Sequence, residues 1–137
     1  MVASPVGMFG EIALDAFNAW METQSRSMFP RDFLTWDDSD PKHPGFRWYF
    51  MHEDGMTLPE GSEVVAFTGG MYAVATGIDQ RTDKKAVNEA VAVFLRENGL
   101  MIDNDRRELG NIITSPAAKE TLGYEQMDYY YPVRVKK

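Results

Sequence analysis

The residues best suited to chemistry in this chain are an acid and a tyrosine two positions apart near its C-terminus. Asp128 and Tyr130 lie in QMDYYYPVRV, residues 126–135, a β-prone segment in which alternation puts both side chains on one face. Such a pair favours an organic cation, because an aromatic ring attracts the positive charge and the carboxylate neutralises it. The alternative is that Asp128 is an ordinary exposed surface acid.

Aromatic side chains in two earlier segments are candidates for the walls of such a site. Trp36 ends the predicted strand 32–36, and Trp48 and Phe50 share one face of the aromatic strand 46–52. Tryptophan buries a large area, so each is either a core residue or part of a pocket wall. Both roles are compatible where a pocket is cut into the core.

Glu108 is the second acid of interest, at the start of the predicted strand 108–114. Alternation puts it on the same strand face as Gly110, where a carboxylate beside a glycine gap could reach into a cavity. It also follows Arg106 and Arg107, so a surface ion pair competes with that interpretation.

Sequence motifs for catalysis, metal binding or cofactor binding are missing. The chain has no cysteine, no G-x-S-x-G elbow, no P-loop and no G-x-G-x-x-G, and His43 and His52 lack metal-ligand spacing. We therefore predict no catalytic residue, no metal and no cofactor, and we expect binding rather than catalysis. Any reaction would use Glu108 or Asp128 to position water.

Composition narrows the class of protein. At 137 residues we expect one domain, 1–137, with residues 1–10 as a tail or loop. The net charge of −7 argues against direct nucleic-acid binding, because phosphate contacts need a basic surface. It permits a cationic ligand, although solubility also explains a negative charge. The absence of cysteine, of a signal peptide and of a long apolar run predicts a cytoplasmic protein without a membrane partner.

Periodicity predicts two helices and five strands. The helices are 11–25 and 82–100, the latter capped by Thr82 or Asp83 and ended by Gly99. The strands are 32–36, 46–52, 63–78, 108–114 and 126–135, and Gly69-Gly70 predicts a bend within the third. An aromatic just past a bend, here Tyr72, often lines a cavity. The order predicts an α+β fold with two similar halves, the first lacking its opening strand unless residues 1–9 supply it.

Three stretches carry a resemblance to a known family. GGMYAVA (69–75), the helix ending in ENGL, and the closing MDYYYPVRVKK (127–137) resemble motifs of the GyrI-like small-molecule-binding superfamily. That family includes the effector-binding domains of AraC-type and MerR-type multidrug regulators and the DNA gyrase inhibitory protein. The resemblance covers roughly residues 10–137. It implies duplicated β-α-β-β halves whose antiparallel sheet forms a ligand cleft, with Tyr72, Asp128 and Tyr130 at matching positions.

One position departs from the family pattern, and three functions follow as expectations. The glutamate usual in the strand before the last is Gly110 here, and Glu108 is the nearest substitute. We first expect binding of a hydrophobic, planar or cationic aromatic small molecule, by a stand-alone sensor or sequestering domain or by the effector-binding part of a transcription regulator. The alternatives are a carboxylate-dependent hydrolase of cyclopropane-type electrophiles and a module that binds a protein partner, as the gyrase inhibitor does.

Overall fold

The structure, a computed structural model, describes residues 1–24 and 32–137. The chain divides into two compact units, Met1–Phe67 and Thr68–Lys137, called here the N-terminal and C-terminal units. Each contains helix and strands that pair antiparallel, so the predicted α+β class is confirmed.

The described part of the N-terminal unit, residues 1–24 and 32–67, contains one helix and four strands. In chain order these are β1 (Val2–Ala3), α1 (Ile12–Thr23), β2 (Asp32–Asp37), β3 (Gly45–Phe50) and β4 (Glu63–Val64). The strands lie in the order β4-β1-β3-β2. The last residue of the predicted helix 11–25 lies outside the described residues.

The first residues of the chain are not a tail, contrary to one of our predictions. Val2 and Ala3 are fully buried, and β1 pairs with both β3 and β4. Two residues are too few to give a readable alternation, which explains why the sequence left this strand open.

The core of the N-terminal unit lies between α1 and the sheet. Leu14, Phe17 and Met21 recur at spacings of three and four, so they share one helix face and are all buried. They pack against Trp48 and Phe50 of β3, together with residues of β1 and β2. The aromatic face of β3 is therefore the face that packs on α1.

The C-terminal unit contains two helices and four strands. These are β5 (Tyr72–Ile78), α2 (Lys84–Glu97), β6 (Leu100–Ile102), β7 (Leu109–Ile112), α3 (Pro116–Leu122) and β8 (Gln126–Val135). β8 is the central strand: β5 lies along one side, β7 pairs with residues 127–130, and β6 with residues 133–135. Val91 and Leu95 of α2 pack on Tyr131 and Val133 of β8.

The two predicted end signals of α2, a capping side chain at its start and a glycine after its end, are confirmed. The Asp83 carboxylate accepts a 2.9 Å hydrogen bond from the backbone N–H of Lys85, which satisfies one of the free donors at the helix start. Gly99 has φ +64°, the left-handed conformation expected of a glycine that ends a helix.

The glycine pair in GGMYAVA has a different role from the predicted bend. Residues 65–71 are not in a strand, so the predicted strand 63–78 is wrong; it is two strands, β4 and β5. A Cβ at Gly70 would overlap the guanidinium of Arg106. That guanidinium donates to the carbonyl oxygens of Met71 (3.0 Å) and Val133 (2.9 Å) and to Asp103 (2.9 Å). Gly70 therefore marks a close approach of an arginine to the backbone.

Across residues 1–24 and 32–137, the search for helices with the length and hydropathy to cross a membrane finds none.

Candidate functional site

The candidate site lies on the face of the C-terminal sheet that points away from α2. Tyr129 and Tyr131 of β8 pack in the α2 core, so alternation turns Asp128 and Tyr130 to the other face. Directly opposite residues of an antiparallel pair share a face, and the register sets Thr76 of β5 opposite Asp128. β7 completes this face from the other side, with Asn111 opposite Asp128 and Leu109 opposite Tyr130.

Asp128 is held in place by two hydroxyl groups. Its Oδ1 accepts a 2.5 Å hydrogen bond from the Thr76 hydroxyl, and its Oδ2 accepts a 3.4 Å hydrogen bond from the Tyr130 hydroxyl. No lysine, arginine or histidine within the described chain forms an ion pair with this carboxylate. The site therefore presents a positioned negative charge without a positive partner from the residues described.

Aromatic and apolar side chains adjoin the carboxylate. The rings of Tyr72 and Tyr130 meet edge to face, with centroids 6.3 Å apart. Val74, which lies opposite Tyr130 on β5, is 51% exposed. The Arg106 guanidinium lies 4.8 Å from the centroid of the Tyr72 ring and so braces that ring. Apolar and aromatic surface beside a carboxylate that forms no ion pair within the described chain is suited to a flat organic cation.

The surroundings of Tyr130 favour its neutral form. Burial raises the pKa of its hydroxyl, and the negative charge and hydrogen bond of Asp128 raise it further, while a hydrogen bond with Asn111 lowers it. A neutral Tyr130 keeps the proton that it donates to Asp128. Burial, followed by the charges of Asp79 and Tyr131, also raises the pKa of Tyr129 on the α2 face.

Two polar residues of this face were missed by the sequence analysis. Thr76 supplies a 2.5 Å hydrogen bond to Asp128, and Asn111 is 1% exposed, its side-chain oxygen having no hydrogen-bond partner among the residues described. Asn111 alternates with Leu109 and Ile113, so it places a polar side chain on an otherwise apolar strand face. This break in the apolar pattern is visible in the sequence. A buried amide in such a position usually needs a hydrogen-bonding partner.

Of the predicted site residues, the structure brings Tyr72, Asp128 and Tyr130 together but separates Glu108 from them. Glu108 lies on the α2 side of the sheet, with an Oε2 atom 3.8 Å from the Lys84 ammonium. Glu108 is therefore not beside Asp128, and Gly110, the position of the family glutamate, lies opposite Tyr129 and so also on the α2 side. Strand β7 begins one residue later, at Leu109, so strand alternation does not fix the direction of Glu108.

The aromatic residues that were predicted to form a pocket wall in the N-terminal unit differ in their burial. Trp48 and Phe50 are 4% and 5% exposed and belong to the core under α1, so these two are core residues. Trp36 is 47% exposed and meets Phe46 edge to face at 5.1 Å.

The other face of the N-terminal sheet carries an aromatic group of its own. Phe67 stacks with Phe33 at 6.1 Å and meets Tyr49 edge to face at 5.4 Å. This group is not apparent from the sequence, because Phe67 comes after β4, in a segment where strand alternation does not set the direction of the side chains.

The described residues contain no group of three or more histidine, aspartate and glutamate side chains able to hold a metal ion. No protein-family model matches the chain, and no curated protein is significantly similar to it.

Proposed function

We propose that this protein binds a hydrophobic, planar small molecule carrying a positive charge, on the sheet face formed by Tyr72, Thr76, Asp128 and Tyr130. Its role would be that of a sensor, a sequestering domain or the effector-binding part of a regulator, as in the GyrI-like superfamily that the sequence resembles. The observation that carries the proposal is the Asp128 carboxylate, which is oriented by two hydroxyls and has no cationic partner among the described residues.

The connectivity of the two units supports the family resemblance. In the N-terminal unit β1 leads through α1 to β2 and β3, and β3 lies between β1 and β2. In the C-terminal unit β5 leads through α2 to β6, β7 and β8, and β8 lies between β5 and the other two. We therefore propose that the units are duplicated β-α-β-β halves, with β1 as the first strand of the first half.

The binding energy has two sources in this proposal. Apolar contact with the Tyr72 and Tyr130 rings and with Val74 supplies the part that is common to neutral and charged ligands. The charge of Asp128 and the Tyr130 ring face supply a part specific to cations, about 2 kcal/mol where the ligand excludes water. A neutral ligand of the same shape should therefore bind more weakly than the cation.

A titration with a matched dye pair tests the proposal. The probes are a cationic aromatic dye and a neutral analogue of the same ring system, with binding followed by fluorescence anisotropy. We expect Asp128→Asn to weaken binding of the cation about 10- to 30-fold, which corresponds to 1.4–2 kcal/mol, and to leave the neutral analogue nearly unchanged. Asp54→Asn removes the same charge from an exposed loop and should affect neither dye.

Two results would count against this function. Equal losses in Asp128→Asn and Asp54→Asn would mean that only the net charge matters. Unchanged affinity for both dyes in Asp128→Asn, Tyr130→Ala and Tyr72→Ala together would mean that the ligand binds elsewhere.

Neither alternative function gains an observation of its own. The hydrolase hypothesis relied on Glu108 or Asp128 to position water, but Glu108 is next to Lys84 and Asp128 is engaged by Thr76 and Tyr130. The protein-partner hypothesis stays an expectation from the family resemblance.

A further inference from the structure

The C-terminal unit contains a second concave site, on the face of its sheet that carries α2. A pocket of about 510 Å³ opens between α2, β6 and β8, a volume within the range of small-molecule sites. Asp128 and Tyr130 lie on the opposite face of the sheet, so this pocket is separate from the site proposed above.

The walls of the pocket are mainly apolar. Val91 and Leu95 come from α2, Leu100 and Ile102 from β6, and Tyr131 from β8. Ala92 also lines the pocket, and its small, exposed side chain leaves the opening free. Such walls suit a hydrocarbon chain or an apolar ring.

At the end of the pocket near the start of α2, the charged side chains interact with one another. The Lys84 ammonium donates a 2.8 Å hydrogen bond to the Tyr131 hydroxyl, which donates in turn to the Asn88 side-chain oxygen at 2.7 Å. Lys84 also lies 3.8 Å from Glu108, the one acid of the lining. The charge of Glu108 is thereby balanced within the protein.

The other end carries two cations that have no acidic partner among the described residues. Arg96 lies in the last turn of α2, and Lys136 follows β8, where its backbone N–H donates to the carbonyl of Gly99. Both line the pocket, and neither forms an ion pair with any described residue. Asn88 and Arg96 are eight residues apart on the helix, or about 12 Å. The pocket thus has an apolar middle and a cationic end.

We propose that this pocket binds an amphipathic carboxylate, such as a medium-chain fatty acid. The carboxylate lies between Arg96 and Lys136, and the hydrocarbon chain runs along Val91 and Leu95 toward Asn88. Charge complementarity selects this occupant: with Glu108 paired to Lys84, an anionic head meets two cations, whereas a cationic head meets like charge.

Three probes with one tail test the assignment on the full chain: dodecanoate, dodecanol and dodecyltrimethylammonium, each below its aggregation concentration and followed by calorimetry and amide NMR shifts. We expect dodecanoate to bind most tightly. The double variant Arg96→Gln/Lys136→Gln should weaken dodecanoate roughly tenfold, the size expected of charge-assisted hydrogen bonds at an open rim. Lys85→Gln/Lys137→Gln, which removes two charges outside the pocket lining, is the matched control.

A second variant locates the bound tail. Ala92→Trp fills the opening from an exposed helix position, so the fold should survive and binding of all three probes should fall. Three results would overturn the proposal. The first is equal affinity for the three head groups, and the second is an affinity for dodecanoate that either pocket variant leaves unchanged. The third is self-association of the chain that Ala92→Trp blocks, because a second copy of the chain would then occupy the pocket. Asp128→Asn should leave dodecanoate binding intact, which separates this site from the cation site.

Discussion

Trp48 is a core residue whose indole N–H has no acceptor within the described chain. Trp48→Ala should lower the free energy of unfolding by about 3–5 kcal/mol, because a large buried ring is replaced by a cavity. Trp48→Phe breaks no hydrogen bond and keeps an aromatic ring, so its cost should stay below about 1.5 kcal/mol. Urea unfolding of both variants measures the difference.

The same pair of variants separates the two roles that sequence allows for this tryptophan. A core residue affects stability first and ligand affinity only through the fold. If Trp48→Ala keeps its unfolding midpoint but loses dye binding, Trp48 is part of a ligand wall and its assignment to the core is wrong.

The sequence alone predicted only some of the residues of the site. Asp128 and Tyr130 lie on one strand, so alternation was enough to join them. Thr76 of β5 hydrogen-bonds Asp128, and Asn111 of β7 lies opposite it, so both places depend on the register between strands. A shift of one residue in either register would turn them to the other face, and no local pattern specifies that register.

At the scale of elements, the start of β5 and the β6–β7 connection can approach each other closely because Gly70 has no side chain. Gly70→Ala should cost about 1–3 kcal/mol of stability, since its Cβ must displace a guanidinium fixed by three hydrogen bonds. Gly69 has open space around its Cα, so Gly69→Ala should stay within about 0.5 kcal/mol of the wild type. Thermal unfolding of the two variants provides the comparison.

A double-mutant cycle assigns that cost to Arg106. In an Arg106→Ala background the overlap is gone, so adding Gly70→Ala should cost much less than it does in the wild type. A cost that is unchanged by Arg106→Ala would mean that the backbone, not the arginine, excludes a side chain at residue 70.

Most elements found from sequence were those with several repeats of their period, although the four-residue β7 was also found, within the predicted strand 108–114. Helices α1 and α2 and strands β2, β3 and β8 have long enough apolar or aromatic patterns to be recognised within a few residues. β6 and α3 were missed because they have three and seven residues, and β1, with two, was left open as a strand that residues 1–9 could supply. β1 and β6 exist because longer strands pair with them, and α3 begins with a local cap in which Ser115 accepts from the N–H of Ala118.

At the scale of the whole molecule, the net charge of −7 is unevenly distributed along the chain. Residues 1–67 contain eleven acids and four bases, whereas residues 68–137 contain ten of each, so the N-terminal unit carries the whole excess. Attraction of a cation to Asp128 therefore depends on local contacts rather than on the net charge of its unit. Because the C-terminal unit has no net charge, the acidity of the whole chain does not oppose binding of an anion in the pocket between α2, β6 and β8.

Two tyrosines with raised pKa values predict how the stability of the molecule changes in alkaline solution. Burial raises the pKa of Tyr129 and Tyr130 above the ordinary value of 10.0, with the charge of Asp128 adding to the effect at Tyr130. Unfolded tyrosine therefore loses its proton at a lower pH than folded tyrosine. The stabilising contribution of the neutral form is present below pH 10.0 and is lost as the pH rises through the folded pKa values.

We expect the free energy of unfolding to decline as the pH increases beyond that point, and to decline less steeply in Tyr130→Phe, which has no hydroxyl to ionise. Asp128→Asn should move the Tyr130 titration to lower pH, because the neighbouring negative charge and its hydrogen bond are removed. Urea unfolding across the alkaline range, with phenolate absorbance recorded on the folded protein, measures both effects. Tyr124→Phe removes a hydroxyl from outside this pair and is the control. A Tyr130 titration that does not respond to Asp128→Asn would mean that the two side chains are not in contact in solution, and the proposed cation site would lose the arrangement that orients its carboxylate.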